Sequence, residues 1–309
     1  MTGNYLINLS SHSVMLCPMN AARSTLLHLR IPFSFFLLPV YLFAVSISVG
    51  YAWSDALLVF FILHFLLYPA SNGYNSYFDR DEGSIGGLEH PPPVNRQLYT
   101  VSILLDIVAI ILGATISVLF ALLLLGYGLV SKAYSHPSIR LKRYAVISWL
   151  VAGFFQGFFT FIMVYVGVNR ASWAAVDGPM VWTAAWLTSL MLWGSYPMTQ
   201  VYQHEEDVRR GDLTLSYRLG ITGTFHFTAA VFLLVTVAFF LFYREWFSGW
   251  EGGLFLLFLL PVLVYFALWY WQVRRDPKQA NFRGTMRLNF ISAVGLNAFF
   301  LLSAILHQS

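Results

Sequence analysis

Charge is what this sequence has least of. Asp, Glu, Lys and Arg make up 10% of its 309 residues, where a soluble domain carries about 25%, so a water-facing surface cannot be covered. Hydrophobic residues reach 58% and aromatic ones 18%, mean hydropathy is +0.66, and the solvent implied is lipid. Cysteine is nearly missing: the single Cys17 excludes a disulfide framework and a Cys-based metal cluster. The residues before about Asn20 lack a basic and then an apolar region, which makes them a poor signal peptide, and Leu16 ahead of Cys17 argues against lipoprotein cleavage. Residues 1–26 are expected to be a loose tail, with translation starting even at Met15 or Met19, ahead of one membrane domain over 27–309. Strand-type alternation is lacking too, which excludes a barrel and leaves helices to satisfy the backbone in lipid.

What is there is a series of apolar runs of about 20 residues, the length that crosses the hydrocarbon. They lie near 31–50, 55–74, 98–113, 115–131, 145–168, 179–200, 224–243, 252–272 and 287–306, nine in all, with a break expected at Gly113. Eight spans is the competing count. Basic residues arbitrate: with nine spans, all of the 18 Lys and Arg except Arg170 and Arg244 fall on one side, which is then cytoplasmic. Merging the two runs around Gly113 would put strongly basic segments on both sides. Net charge is only +4, and no nucleic-acid partner is expected.

Two acidic stretches share the basic side. NGYNSYFDRDEGSIGGLEHPPP (72–93) follows the second run, and VYQHEEDVRRGDLTLSYRLG (201–220) follows the sixth. If the second helix continues past Pro69, Asn72, Asn75, Asp79 and Glu82 recur at i, i+3, i+7 and i+10, one stripe of a helix, with Asp81 pointing away. Gln203, Glu206, Asp207 and Arg210 make a similar stripe. Facing carboxylates repel unless a cation lies between them. Magnesium suits such oxygen donors and is usually held by a few carboxylates plus substrate phosphates. SKAYSHPSIRLKR (131–143) brings Lys132, Arg140, Lys142 and Arg143 to the same side, where they suit the remaining phosphate oxygens. The residues therefore point to a metal–diphosphate site. The plainer readings are solvated helix ends for the acids and topology-setting charge for the basic loop. Asp106, mid-span, is a functional candidate by default or a partner for another helix. His64 and Gln156 are expected to make interhelical hydrogen bonds. Most aromatics are expected to pack or to form interface belts, some of them lining a chamber able to stabilise a cation.

From LRIPFSFFLLP (29–39) to the last span, the chain resembles the UbiA superfamily of intramembrane prenyltransferases, whose nine-helix bundle surrounds a central chamber. Asn75-Ser76-Tyr77-Phe78-Asp79-Arg80-Asp81-Glu82-Gly83 is similar to that family's first aspartate-rich motif. Gln203 to Asp207, followed by Gly211, Thr214, Leu215 and Gly220, is similar to its second. Ser76, Gly83 and Gln203 stand where the family has acids, and Asp81, Glu82, Glu206 and Asp212 are the candidates to compensate, Glu82 foremost. The resemblance implies an Mg2+-dependent transfer of an isoprenyl group from a prenyl diphosphate to an aromatic or other lipid-pathway acceptor. It implies Asp79 and Asp207 as catalytic residues and Asn75, Asp79, Glu82, Glu206 and Asp207 as metal ligands. Arg30, Asn72, Asn75, Lys132, Arg140 and Lys142 would hold the diphosphate, with Asp81, Gln203, Arg210, Asp212 and Asp106 as further candidates. A terpene cyclase and a non-catalytic or transporting member of the fold stay open as alternatives. A multi-pass protein of a bacterial-type inner membrane, with its site toward the cytoplasm, is expected.

The charge asymmetry generates the first prediction. In a background without Cys17, single cysteines at Ser84 and Ser172 should be labelled from opposite sides of the membrane, and labelling from one side would sink the nine-span register.

Overall fold

The computed structural model describes residues 20–308; residues 1–19, with Met15, Cys17 and Met19, lie outside the described residues. The expected tail boundary at residue 26 is not where the fold begins. Asn20 accepts a hydrogen bond from the Ala22 amide at 3.0 Å and so caps α1 (Ala21–Leu29), which makes residues 21–26 helical. Arg30 ends α1 in the left-handed region, and the turn Ile31–Phe36 leads into α2 (Leu38–Ser46) with a 42° bend. Together these form the first span.

The second span is α3 (Trp53–Phe61), a π turn over Ile62–Leu67, and α4 (Tyr68–Asp79). Pro69 has no N–H to give back along the helix, and the widened turn ahead of it absorbs that loss. The helix therefore does continue past Pro69. The third and fourth spans are α5 (Arg96–Ile116) and α6 (Val118–Ser135). Their break is at Ser117, not at Gly113: Ser117 is extended (φ −161°, ψ 154°) and caps α6 by accepting from the Phe120 amide at 3.0 Å. Gly113 instead lies where the pair touches, since a Cβ there would meet Leu124 Cδ1 at 2.3 Å.

The fifth span is α7 (Ala145–Phe154), a second π turn over Phe155–Phe159, and α8 (Thr160–Asn169). The sixth is α9 (Pro179–Ser195), continued by the turn Tyr196–Gln200. After the short surface helix α10 (His204–Arg210) come α11 (Leu215–Trp246), bent where Gly220 takes φ 69°, α12 (Gly249–Arg275) and α13 (Phe282–Gln308). Among the described residues, seven helices are long and apolar enough to cross a membrane, and the bent first pair makes eight. The 17-residue α9 is the ninth member of the bundle. The sole strand among the described residues is Leu213–Thr214, which bridges in parallel to Tyr144 and Ala145 and so joins the loops after the fourth and sixth spans.

The fifth span is the most enclosed, with 67% of its apolar window buried against 28% for α5, α11 and α12, whose leucines face outward. The core toward the far end is aromatic. Phe43 stacks on Phe300 at 4.7 Å and is surrounded by Phe161, Phe239 and Phe242, all essentially without exposure. At that end Arg170 pairs with Asp55 through two hydrogen bonds of 2.7 and 2.8 Å. The other end of the bundle opens into a chamber.

Close approach in the second π turn can be tested. An ideal Cβ on Gly157 would lie 2.5 Å from both Cα and N of Ser189, backbone that cannot swing aside. Gly157→Ala should therefore cost about 1–3 kcal/mol and lower the melting temperature in detergent by several degrees. Gly253→Ala, a helical position with nothing within 4 Å, should leave it unchanged or raise it slightly.

Candidate active site

The chamber has a volume of about 340 Å³. Arg30, Asn72, Asn75, Tyr202 and Gln203 lie at its open end, while Phe155, Val235, Phe255 and Leu296 line its depth. α4 supplies Ser71 and Asn72 on one turn, Asn75 on the next and then Asp79 as its last residue. Arg80 caps the helix in the left-handed region (φ 50°), so the stripe drawn to Glu82 stops one turn early. This reverses two expectations. Glu82 is exposed to solvent, whereas Asp81, expected to point away, is turned inward, its side chain 13% exposed and paired with Arg210.

Around the mouth, acids and bases interlock. Lys142 pairs with Asp79 and lies 3.4 Å from Asp212, which also accepts two 3.0 Å hydrogen bonds from Arg140. The Glu206 carboxylate accepts from the Glu82 amide at 3.1 Å, the Gly83 amide at 3.2 Å and Arg210 at 2.8 Å. A side chain on Gly83 would displace it, because a Cβ there would lie 2.3 Å from Glu206 Oε2. Glu206 therefore clasps the first acidic loop rather than standing as a free metal ligand. Gln203 donates to the Ser84 carbonyl at 2.7 Å, a bond that an ionised aspartate in its place could not make. Ser76 is buried, turned away from the mouth. The three departures from the acidic motif thus lie where an acid is unnecessary or harmful.

Asp207 is different. Among the described residues its carboxylate accepts one hydrogen bond, from Thr214 Oγ1 at 3.4 Å, and no Lys or Arg forms an ion pair with it. Burial, and then the neighbouring Asp212, push its carboxyl up to about 7. Burial and Asp79 push Asp81 up to about 6, against the opposing pull of Arg210 and Lys142. In both cases the ionised form is disfavoured, first because burial strips the carboxylate of water and second because another acid lies beside it.

Among the described residues, no three His, Cys, Asp or Glu side chains converge into a metal-binding group. The five expected ligands are therefore not gathered into one cage: Glu82 faces solvent and Glu206 is engaged with backbone amides. What remains is Asp79 with Asn75 at the end of α4, Asp81 just beyond it, and Asp207 on α10. Magnesium, which is commonly held by one or two carboxylates with substrate phosphates and water completing its shell, fits this sparse set of oxygens.

The expected diphosphate contacts separate. Arg30 lines the chamber, donating to the carbonyls of Gly86 (3.2 Å) and Asn72 (3.3 Å) and leaving its buried Nε without a partner. Asn72 donates to the Leu29 carbonyl and Asn75 to Ser135 Oγ at 2.8 Å. Lys132 is not at the mouth: it pairs with Asp106 and lies 5.1 Å from the centre of the Tyr74 ring. Asp106 and Lys132 thus neutralise one another between α5 and α6. Arg143 is exposed and bonded to Tyr144.

Sequence reasoning missed two features. Tyr134 and Tyr196 share a short hydrogen bond in the chamber wall; no spacing announces that pair. Gln156, expected to bond another helix, lines the chamber instead.

Comparison with known proteins agrees with this fold. A UbiA homolog from Archaeoglobus fulgidus bound to GPP and Mg2+ matches with a TM-score of 0.66 at 17% identity, over 91% of this chain and 99% of that one. The same homolog bound to DMAPP and Mg2+ gives the same values. A structure of digeranylgeranylglyceryl phosphate synthase matches at 0.60 and 19% identity, over 93% and 99%. At these identities the likeness concerns the fold. No curated protein sequence matches. The sequence model of the UbiA prenyltransferase family covers residues 36–292, from the first span to the last. An integral membrane protein of many passes, with two acidic loops over an apolar chamber, this chain belongs to the UbiA prenyltransferase family.

Proposed function

We propose that the protein is an Mg2+-dependent membrane prenyltransferase that takes an isoprenyl diphosphate and joins its prenyl group to a lipid-soluble acceptor. The observation carrying this reading is a half-buried Asp207 with no ion-pair partner among the described residues, beside Asp79 and Asp81, on the acidic stretches whose Asn75 and Gln203 line an apolar chamber. Structures of family relatives with GPP or DMAPP and Mg2+ support it.

Asp79, Asp207 and Asp81, with Asn75, would hold Mg2+ against the diphosphate. The ion supplies charge neutralisation of the leaving diphosphate. Lys142, paired with Asp79, would offer its ammonium to a phosphate oxygen. Arg30, from the opposite wall, offers its unpartnered Nε. These fixed positive groups stabilise charge that develops as the allylic C–O bond breaks and its electron pair leaves on the diphosphate. The acceptor supplies the pair for the new bond and gives up a proton, which leaves with the diphosphate. The apolar, aromatic wall excludes water from the cation meanwhile. The site faces the cytoplasm in this reading, as the basic loops require.

Turnover of labelled prenyl diphosphate by the purified protein tests the assignment. Asp79→Asn and Asp207→Asn should each lower kcat/KM a hundredfold or more, on the order of 3 kcal/mol in the barrier, with partial relief at raised Mg2+. Asp81→Asn should lower it at least tenfold and Glu82→Gln less than twofold, the reverse of what the stripe alone suggests. Full Mg2+-dependent turnover by the Asp79→Asn, Asp207→Asn double variant would rule the site out.

A second outcome separates the basic residues. Lys142→Met should weaken diphosphate binding about tenfold and spare prenyl-alcohol binding. Lys132→Met should leave diphosphate affinity within twofold and lower thermal stability, because it strands Asp106 in the membrane.

A further inference from the structure

The deep wall of the chamber has a chemistry of its own. Arg30, at the open end, is its one charged lining residue among the described residues. Farther in, three neutral polar side chains face the space: Gln156 from the fifth span and Asn289 and Ser292 from the ninth. None of the three side chains has a hydrogen-bond partner among the described residues, whereas two hydroxyls of the same lining are engaged with backbone. Ser195 donates to the Met191 carbonyl at 3.1 Å and Thr236 to that of Phe232 at 2.7 Å. Gln156 lies eleven residues into its span from Ala145, about 16 Å along a helix at 1.5 Å per residue, near the middle of the membrane.

An amide in hydrocarbon with nothing to bond is costly, and the backbone here is shaped to present one. Gln156 lies in the π turn Phe155–Phe159, which adds a residue to the turn and changes the direction of the side chains around it; such turns recur at functional sites. The turn is anchored by Ser189, which accepts from the Phe158 amide at 2.9 Å and donates to the Gly153 carbonyl at 3.0 Å. A prenyl tail cannot satisfy Gln156, Asn289 or Ser292. A carboxylate or ammonium this deep would lack a counter-charge, at a cost of several kcal/mol.

Resting on the transferase reading above, we propose that the acceptor is an uncharged lipid-soluble molecule carrying a hydroxyl or carbonyl group, a phenol, quinol or alcohol, and that Gln156, Asn289 and Ser292 hold it in place. Amides both donate and accept, which suits hydroxyl and carbonyl groups alike. Gln156 is then a specificity-determining residue for the second substrate and has no part in binding the first.

The test pairs each neutral phenol or alcohol with its carboxylate-bearing counterpart on the same ring or chain, using the full-length protein in detergent with Mg2+. Turnover is measured with labelled geranyl, farnesyl and geranylgeranyl diphosphates, and acceptor binding is measured separately by calorimetry. The neutral member should bind and turn over at least tenfold better. Gln156→Leu, an apolar replacement suited to the membrane, should raise acceptor KM and Kd about tenfold with the KM for prenyl diphosphate within twofold. A carboxylate-bearing member preferred in binding or turnover overturns the proposal, and so does unchanged acceptor affinity in Gln156→Leu. If no prenyl diphosphate is consumed with any acceptor, the transferase reading fails. Loss of neutral-ligand binding in Gln156→Leu then still upholds the binding assignment, and its retention refutes both.

Discussion

Carboxylates gathered at the edge of a bilayer repel one another, and the arrangement of this protein's charged end follows from how that repulsion is relieved. One ammonium, Lys142, serves Asp79 and Asp212. One guanidinium, Arg210, serves Asp81 and Glu206. Arg140 fixes Asp212 from the other side. These three cations come from the loops after the fourth and sixth spans, the same two loops that the Leu213–Thr214 bridge joins to Tyr144 and Ala145. The pairing thus holds three loops together over the chamber and leaves Asp207 without an ionic partner. The balance is unfinished: among the described residues Asp207 alone of these mouth acids lacks an ion pair, which is why the proposed metal site centres on it.

How much of this the sequence disclosed depends on the kind of signal. Helix count was legible because lipid imposes long apolar runs, which are visible in one dimension. The exception is the break between α5 and α6. Gly113 looks like a breaker, but a glycine in a membrane bundle can equally mark close packing, and only contact with Leu124 distinguishes the two. The family was legible from Asn75, Asp79 and Asp207 in their order along the chain.

The roles of individual acids were less legible, for a local reason. A helical stripe extends only as far as the helix, and α4 ends at Asp79 through an arginine, not the glycine that usually marks a left-handed cap. Arg30, Arg80, Arg140 and Arg170 all take positive φ, and three of them hold carbonyls or carboxylates at their helix ends, contacts that offset part of the backbone strain. Nothing in composition announces this. Pairings such as Lys132 with Asp106, between adjacent spans, are likewise invisible until two helices are placed side by side.

The aromatic floor has a consequence for the membrane as a whole. Phe43, Phe161, Phe239, Phe242 and Phe300 fill the far half of the bundle with essentially no exposure, a packed floor beneath the chamber. On the transferase reading proposed above, a molecule that enters from the acidic end would leave on that same side. Such a reaction would enrich a single monolayer in product, and any appearance of that product in the other monolayer would depend on a separate flipping step.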